Sequence, residues 1–243
     1  MKKLTKNQEG FTLIEIAIVL VIIGLLLGGV LKGQELINTA RVRALNNTVD
    51  GITAAWFSFQ DRYRAFPGDY TQASVNIDAA AFDGDGNGLV GVDAGGTAAN
   101  EGLERASVWM HLEAAGYLTG GFDDPAATVA DDEYACSSTI CPDNGFGVGM
   151  NLSYGALSQS DAAAATPVLA HELITGRGIP IEVLAELDRK VDDGAAGSGA
   201  MQLGAAGTGF TAGDVGLCQN AGDADLYGIL TPSANCAAVF RNF

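Results

Sequence analysis

A long apolar run follows a short basic segment at the start of the chain. Residues 11–31 read FTLIEIAIVLVIIGLLLGGVL, with Thr12 and Glu15 as the polar side chains. At about 1.5 Å per helical residue the run reaches roughly 31 Å, which is enough to cross the hydrocarbon core of a bilayer. Residues 32–45 contain no convincing small-x-small cleavage site. The run is therefore predicted to be a retained anchor rather than a removed secretory signal.

Beyond this run the apolar positions change to a helical period. Large apolar side chains recur three or four positions apart, at Leu45, Val49, Ile52, Trp56 and Phe59. This spacing places them on one face of an amphipathic helix. No proline occurs before Pro67, so one stem helix is predicted over residues 11–66. Residues 11–31 would lie in the membrane or in the core of a filament, and the later part would pack on a globular head.

Residues 67–243 are predicted to form that head. Its expected elements are helices over 101–115 and 180–191 and strands near 146–154 and 226–231. Residues 194–216 are rich in glycine and alanine, which predicts a long loop. The pattern favours an α+β fold: a long N-terminal helical stem packed on a C-terminal head with a small antiparallel sheet.

Composition narrows the class of protein. Apolar residues make up 48% of the 243 residues and charged residues 17%, which fits neither wholesale disorder nor a polytopic membrane protein. The formal net charge is −16. Phosphate backbones would repel such a surface, so no nucleic-acid partner is expected on it.

Four cysteines lie beyond the predicted anchor: Cys136, Cys141, Cys218 and Cys236. An even number in an oxidising compartment predicts disulfides, and four cysteines allow three pairings. The pairs 136–141 and 218–236 are favoured because each closes a short local loop. A zinc site is the alternative, but the spacing between the first two cysteines is wider than in most paired zinc ligands.

An acidic, glycine-rich stretch matches the opening of an EF-hand-like calcium loop. Residues 83–88 read DGDGNG, with oxygen-bearing side chains at loop positions 1, 3 and 5 and glycine at position 6. Ala94 stands where position 12 needs a glutamate, so a later carboxylate must complete the shell. The predicted calcium ligands are Asp83, Asp85, Asn87, the Leu89 carbonyl, and Asp93, Glu101 or Glu104. The alternative is an acidic surface turn that binds no ion.

No catalytic constellation is visible, and the chain is not expected to be an enzyme. His171 and Glu172 lack the second histidine of a zinc-protease motif. His111 falls on the predicted helix over 101–115, where we expect a packed or surface histidine rather than a catalytic one. No other cofactor is expected.

The N-terminal segment resembles the type IV prepilin signature. Gly10-Phe11-Thr12-Leu13-Ile14-Glu15 follows a basic leader, residues 1–10, and precedes the apolar helix. The resemblance implies cleavage by a prepilin peptidase between Gly10 and Phe11, followed by N-methylation of Phe11. It also implies that Glu15 neutralises the N-terminal amine of a neighbouring subunit during assembly. The alternative is that Glu15 lies near the membrane edge and reaches water.

Two segments of the head resemble elements of proteobacterial pilin-like proteins. Residues 63–69, YRAFPGD, are similar to the junction between stem and head, and residues 187–194, LDRKVDDG, are similar to the LDxKxDDG element of the same group. Many type IV pilins have a disulfide-bounded C-terminal region, which a bond between Cys218 and Cys236 would provide.

The resemblance implies a structural subunit of a type IV pilus-like filament, formed from copies of this or related chains with inner-membrane assembly machinery. Basic residues of the leader favour the cytoplasm, so a single-pass inner-membrane protein is expected before assembly, and a surface pilus afterwards. One alternative is a type II secretion pseudopilin in a periplasmic pseudopilus. Another is a membrane-anchored, calcium-binding head that never polymerises.

Overall fold

The computed structural model describes residues 13–92, 98–122, 136–162, 164, 166–206, 210–220, 222–231, 233–241 and 243. The chain divides into two compact units, Met1–Ala40 and Arg41–Phe243. The predicted leader, residues 1–10, and the predicted processing position at Gly10 and Phe11 lie outside the described residues.

One long helix, α1, runs from Leu13 to Tyr63. The stem helix predicted over residues 11–66 is therefore confirmed within the described residues, with an earlier end. Arg64 has a φ of 55°, a left-handed conformation that stops a helix. Pro67 then prevents the chain from resuming it. Residues of α1 up to Ala40 belong to the first unit, and those from Arg41 belong to the second.

The second unit continues in chain order with α2 (Ala73–Asn76), α3 (Ala98–Ala114), β1 (Asn151–Gly155), α4 (Gln159–Ala162), β2 (Ala170–Ile174), α5 (Ile181–Val191), β3 (Met201–Leu203), α6 (Ala212–Cys218), β4 (Gln219–Asn220), β5 (Asp223–Tyr227) and β6 (Ala238–Phe240). The helices predicted over 101–115 and 180–191 correspond to α3 and α5. Pro180 directly precedes α5 with extended backbone angles, as expected for a residue that leads into a helix.

Four strands form an antiparallel sheet in the order β1-β2-β6-β3. Strand β6, close to the end of the chain, lies between β2 and β3, so that Phe240 is opposite both Leu173 and Met201. Strands β4 and β5 make a separate two-stranded pair. The α+β class with a small antiparallel sheet is confirmed.

The core of the second unit forms where the stem stripe meets the sheet and the head helices. Leu45, Val49, Ile52, Trp56 and Phe59 are all buried, as their spacing predicts. They belong to one hydrophobic cluster that also contains Leu152 and Leu173 of the sheet, Trp109 and Leu112 of α3, and Leu184 and Leu187 of α5. The amphipathic half of α1 therefore packs within the head.

The prediction of a long loop over residues 194–216 is wrong. Strand β3 lies inside it, fully buried against β6, and so does most of α6. A capping box begins α6: the Thr211 hydroxyl accepts from the Asp214 N–H at 3.3 Å, and Asp214 accepts from the Thr211 N–H at 2.9 Å. These local and tertiary contacts order a segment whose composition is that of a loop.

The strand predictions are only partly correct, and four strands were missed, namely β2, β3, β4 and β6. The strand predicted near 146–154 is β1, which begins at Asn151, and the strand predicted near 226–231 is β5, which ends at Tyr227. Strands β2 and β6 were not predicted. Both are short and buried on both faces, so they lack the alternation that marks a half-exposed strand.

Both predicted disulfides are present, Cys136–Cys141 and Cys218–Cys236, with Cα–Cα distances of 6.1 and 5.8 Å. The second bond ties the end of α6 to the segment that leads into β6. Cys236 also exchanges two backbone hydrogen bonds with Ile179, at 2.9 and 3.1 Å. The C-terminal region is thus held to the chain just before α5.

Candidate functional site

The first half of α1 presents an apolar surface. Its large aliphatic side chains between Leu13 and Leu31 are 46–88% exposed in the chain alone. Within the described part of the chain, α1 is the one helix long and apolar enough to cross a membrane on length and composition. Such a surface is unfavourable in water. It therefore calls for lipid or for other apolar helices as its surroundings.

Glu15 is the acidic residue of this apolar segment. It lies in the first turn of α1, where the helix dipole favours a negative charge, and it is exposed. A charge in the middle of a lipid bilayer costs roughly 2.5–3.5 kcal/mol on insertion scales. The position of Glu15 at the start of the helix is consistent with its predicted role toward a nearby cationic group. Gly10 and Phe11 lie outside the described residues.

A group of three carboxylates lies just after the stem helix. Asp69, Asp85 and Glu104 each offer an oxygen within 4.8 Å of the others. Asp69 organises the loop that follows: its Oδ1 accepts from the N–H groups of Gly86 and Asn87 at 2.7 and 3.0 Å, and its Oδ2 accepts from that of Gly88 at 2.9 Å. Sequence analysis missed Asp69, although its place directly after the Pro67-Gly68 turn could have indicated it.

Glu104 brings α3 to the same loop. Its two oxygens accept from the N–H groups of Asp85, at 3.3 Å, and Gly91, at 3.0 Å, and the residue is 1% exposed. Burial raises the pKa of Glu104 to about 7, with a further increase from the charges of Asp85 and Asp69. Burial also raises the pKa of Asp69. The group therefore holds carboxylates whose ionised forms are disfavoured, and a bound cation would favour ionisation.

Asp83 and Glu101, two further predicted calcium ligands, do not join this group of carboxylates. Asp83 instead binds Ser74 of α2 through both oxygens, at 2.8 and 2.6 Å, and these bonds lower its pKa. Asn87 donates to Asp85 Oδ2 at 2.9 Å and accepts from the Leu89 N–H at 2.6 Å. Glu101 forms an ion pair with Arg105 instead, with 3.8 Å between its Oε2 and the Arg105 Nη2.

Asp93 lies outside the described residues. Calcium binding at this loop stays a prediction, and Asp69, Asp85 and Glu104 are the residues whose carboxylate oxygens the structure brings together there.

Two buried histidines support the junction between stem and head. His111 Nδ1 accepts from the Gly68 N–H at 2.9 Å, and its Nε2 lies 2.8 Å from the Phe82 carbonyl, to which it donates. His171 Nε2 accepts from the Val90 N–H at 3.3 Å. Burial lowers the pKa of each histidine to about 4. These contacts assign both residues to packing of the junction.

Comparison with known proteins gives one match. Residues 5–31 match the family described as the prokaryotic N-terminal methylation motif. No significant match was found among curated proteins or among solved structures. The matched residues include Gly10, Phe11 and Glu15 and end with the apolar run. This motif, which covers residues 5–31 of the chain, supports a type IV pilin-like or pseudopilin precursor.

Proposed function

We propose that the protein is a structural subunit of a type IV pilus-like filament, processed between Gly10 and Phe11 and assembled through α1. The observation that carries the proposal is the methylation motif over residues 5–31 joined to a helix with an exposed apolar surface. The motif implies a prepilin peptidase and filament assembly machinery as partners. Membrane anchoring before assembly follows from the apolar helix and the motif together.

Close packing between copies of α1 holds the helices together, and Glu15 supplies specificity. Lipid tails are as apolar as the side chains of α1, so moving the helix from lipid into a bundle gains little hydrophobic free energy. Packing and polar contacts must then decide the position of each subunit. Cleavage after Gly10 would create a cationic amine on Phe11 that can pair with Glu15 of a neighbouring copy. The pair would leave no uncompensated charge in the filament core.

The test replaces Glu15 with glutamine in the full-length chain. The Glu15→Gln variant keeps the side chain's size and removes its charge, so peptidase cleavage should continue. Breaking one partner of a desolvated charge pair costs about 3–5 kcal/mol, so incorporation into filaments should fall about tenfold or more. Mass spectrometry of the N-terminus reports cleavage, and immunoblots of sheared filament fractions report incorporation.

Glu35→Gln is the matched control. Glu35 is also an exposed glutamate on α1, where it pairs with Lys32 at 2.6 Å, and exposed pairs contribute little to stability. This variant should assemble at the wild-type level. Wild-type filament yield from Glu15→Gln would disprove the assembly role of Glu15. A mature N-terminus other than Phe11 would disprove the proposed processing.

The location of the filament distinguishes a pilus subunit from a secretion pseudopilin. A pilus subunit would be recovered from sheared surface material, whereas a pseudopilin would form a short periplasmic filament and remain with the cell. A processed chain that yields no filament in either fraction would support the third reading, an anchored head that does not polymerise. Electron microscopy of the sheared fraction, with an antibody against the head, distinguishes these outcomes.

A further inference from the structure

A second group of carboxylates lies at the end of α5, apart from the loop after the stem. Asp188 belongs to the last turn of α5, and Asp192 and Asp193 follow the helix. One carboxylate oxygen of each lies within 4.8 Å of the others. Asp192 and Asp193 are exposed, whereas Asp188 is fully buried. The group is therefore closed on the side of Asp188 and open to solvent on the side of Asp192 and Asp193.

The backbone around the group holds two of its carboxylates in place. Asp192 Oδ2 accepts from the N–H groups of Ala200 and Met201, and Asp193 Oδ1 accepts from that of Ala195 at 2.8 Å. The Ser198 hydroxyl donates to Asp193 Oδ2 at 2.8 Å. The loop between α5 and β3 is thus folded around these side chains, and the carboxylates are positioned without an ion.

Asp188 supplies an independent indication of a ligand. Its Oδ2 accepts from the Tyr227 hydroxyl at 2.9 Å, and the nearby Gly194 N–H also favours its ionised form, but within the described residues its buried Oδ1 has no partner with hydrogen-bond geometry. Among the described residues no lysine or arginine forms an ion pair with Asp188, and the nearby Lys190 pairs with Glu186 at 2.6 Å. A buried carboxylate oxygen beside two further acids normally requires a compensating group.

We propose that Asp188, Asp192 and Asp193 bind a calcium ion. The available ligands are all oxygens, which suits a hard cation and not zinc or copper. Calcium accepts six to eight oxygens in a flexible arrangement, and the exposed side of the group leaves room for water to complete the shell. Magnesium demands a stricter octahedron and gives up water reluctantly, so it should bind more weakly here.

The ion would join three segments of the head. Asp188 fixes it to α5, Asp192 holds the start of β3, and Tyr227 connects Asp188 to β5. Strand β5 lies within the loop closed by Cys218 and Cys236. Calcium at this position would therefore stabilise the C-terminal region of the head, independently of whether the chain forms filaments.

The experiment measures calcium binding by full-length protein in detergent micelles. Equilibrium dialysis with radioactive calcium gives the number of ions per chain, and thermal unfolding with and without calcium gives the stabilisation. Asp193→Asn is the main variant, since an asparagine oxygen can still accept from the Ala195 N–H and preserve the turn. It should weaken this site about tenfold or more, because calcium affinity depends on the number of charged ligands.

Two further variants make the result specific. Asp85→Asn alters the other acidic group and should leave calcium binding at this site unchanged. Tyr227→Phe removes the hydroxyl contact to Asp188 but keeps all three carboxylates. It should lower the melting midpoint without calcium and retain the ion, which separates a metal ligand from a packing contact.

Three outcomes would overturn the proposal. The first is the absence of calcium binding by the wild-type chain at millimolar concentration. The second is equal binding by the wild type and Asp193→Asn. The third is binding that Asp85→Asn abolishes and Asp193→Asn leaves intact, which would assign the ion to Asp69, Asp85 and Glu104. Magnesium binding as tight as that of calcium would contradict the choice of ion.

Discussion

At the scale of single residues, the junction after the stem depends on close backbone contacts. A Cβ added to Gly84 would lie 2.4 Å from two backbone atoms of Asp69 and 2.5 Å from the Gly68 carbonyl oxygen. The Gly84 N–H also donates to the Tyr70 carbonyl at 3.0 Å. Glycine is therefore required at this position because backbone atoms cannot move aside as a flexible side chain can.

Gly84→Ala should destabilise the head by about 1–3 kcal/mol, the usual range for a side chain forced into a packed site. Thermal unfolding of the full-length chain in detergent, followed by circular dichroism, measures the change. Gly51→Ala is the control, because nothing lies within 4 Å of a Cβ at this helical position. It should be neutral or stabilising by up to about 1 kcal/mol. Equal melting midpoints for the two variants would contradict the close-contact argument.

At the scale of elements, aromatic packing joins the C-terminal part of α1 to the head. Trp56 is fully buried. The centroid of its ring lies 5.4 Å from the ring centroid of Phe66, 5.5 Å from that of His171 and 6.1 Å from that of Phe243. These partners come from the junction, the sheet and the C-terminus. One side chain of the stem thus connects three parts of the second unit.

Trp56→Ala should lower the free energy of unfolding by about 3–5 kcal/mol, as large-to-small substitutions in a core do. The neighbouring Phe57 is 47% exposed, so Phe57→Ala should cost less than about 1 kcal/mol. Denaturant unfolding of both variants in the same detergent gives the comparison. A Trp56→Ala chain as stable as Phe57→Ala would mean that the aromatic cluster does not secure the stem.

The helices α1, α3 and α5 could be predicted from sequence because the signals that mark them are local. The spacing from Leu45 to Phe59 identifies the buried face of α1, and Pro180 marks the start of α5. The three residues of β3 carry no such pattern, since their strand exists through pairing with β6, far along the chain. Asp69 was missed for the same reason: its contacts to Gly86 and Gly88 join positions that only the folded loop brings together.

At the scale of the whole molecule, the head relies on two histidines that are buried in the neutral form. The Gly68 N–H donates to His111 Nδ1, so the ring proton must be on Nε2, which donates to Phe82. Protonation of Nδ1 would remove the acceptor that Gly68 needs. Burial lowers the pKa of His111 to about 4, although the Phe82 carbonyl and the nearby Asp83 charge oppose this effect. Burial also lowers the pKa of His171 to about 4.

These shifts predict that the two histidines make the head less stable as pH falls, whereas Glu104, whose pKa burial raises to about 7, changes the stability in the opposite direction over the same range. Between pH 6.5 and about 4 the unfolded chain binds protons at these histidines and the folded chain does not, so the histidines' contribution to the free energy of unfolding decreases as pH falls. For His111 the loss is on the order of 3 kcal/mol, at about 1.4 kcal/mol per pKa unit. Denaturant unfolding from pH 7 to pH 4.5 measures it. His111→Gln cannot titrate at this position, so it should be less stable than the wild type at pH 7, and the difference between the two should shrink toward pH 4.5. Parallel pH profiles for the variant and the wild type would show that His111 is not held neutral by the fold.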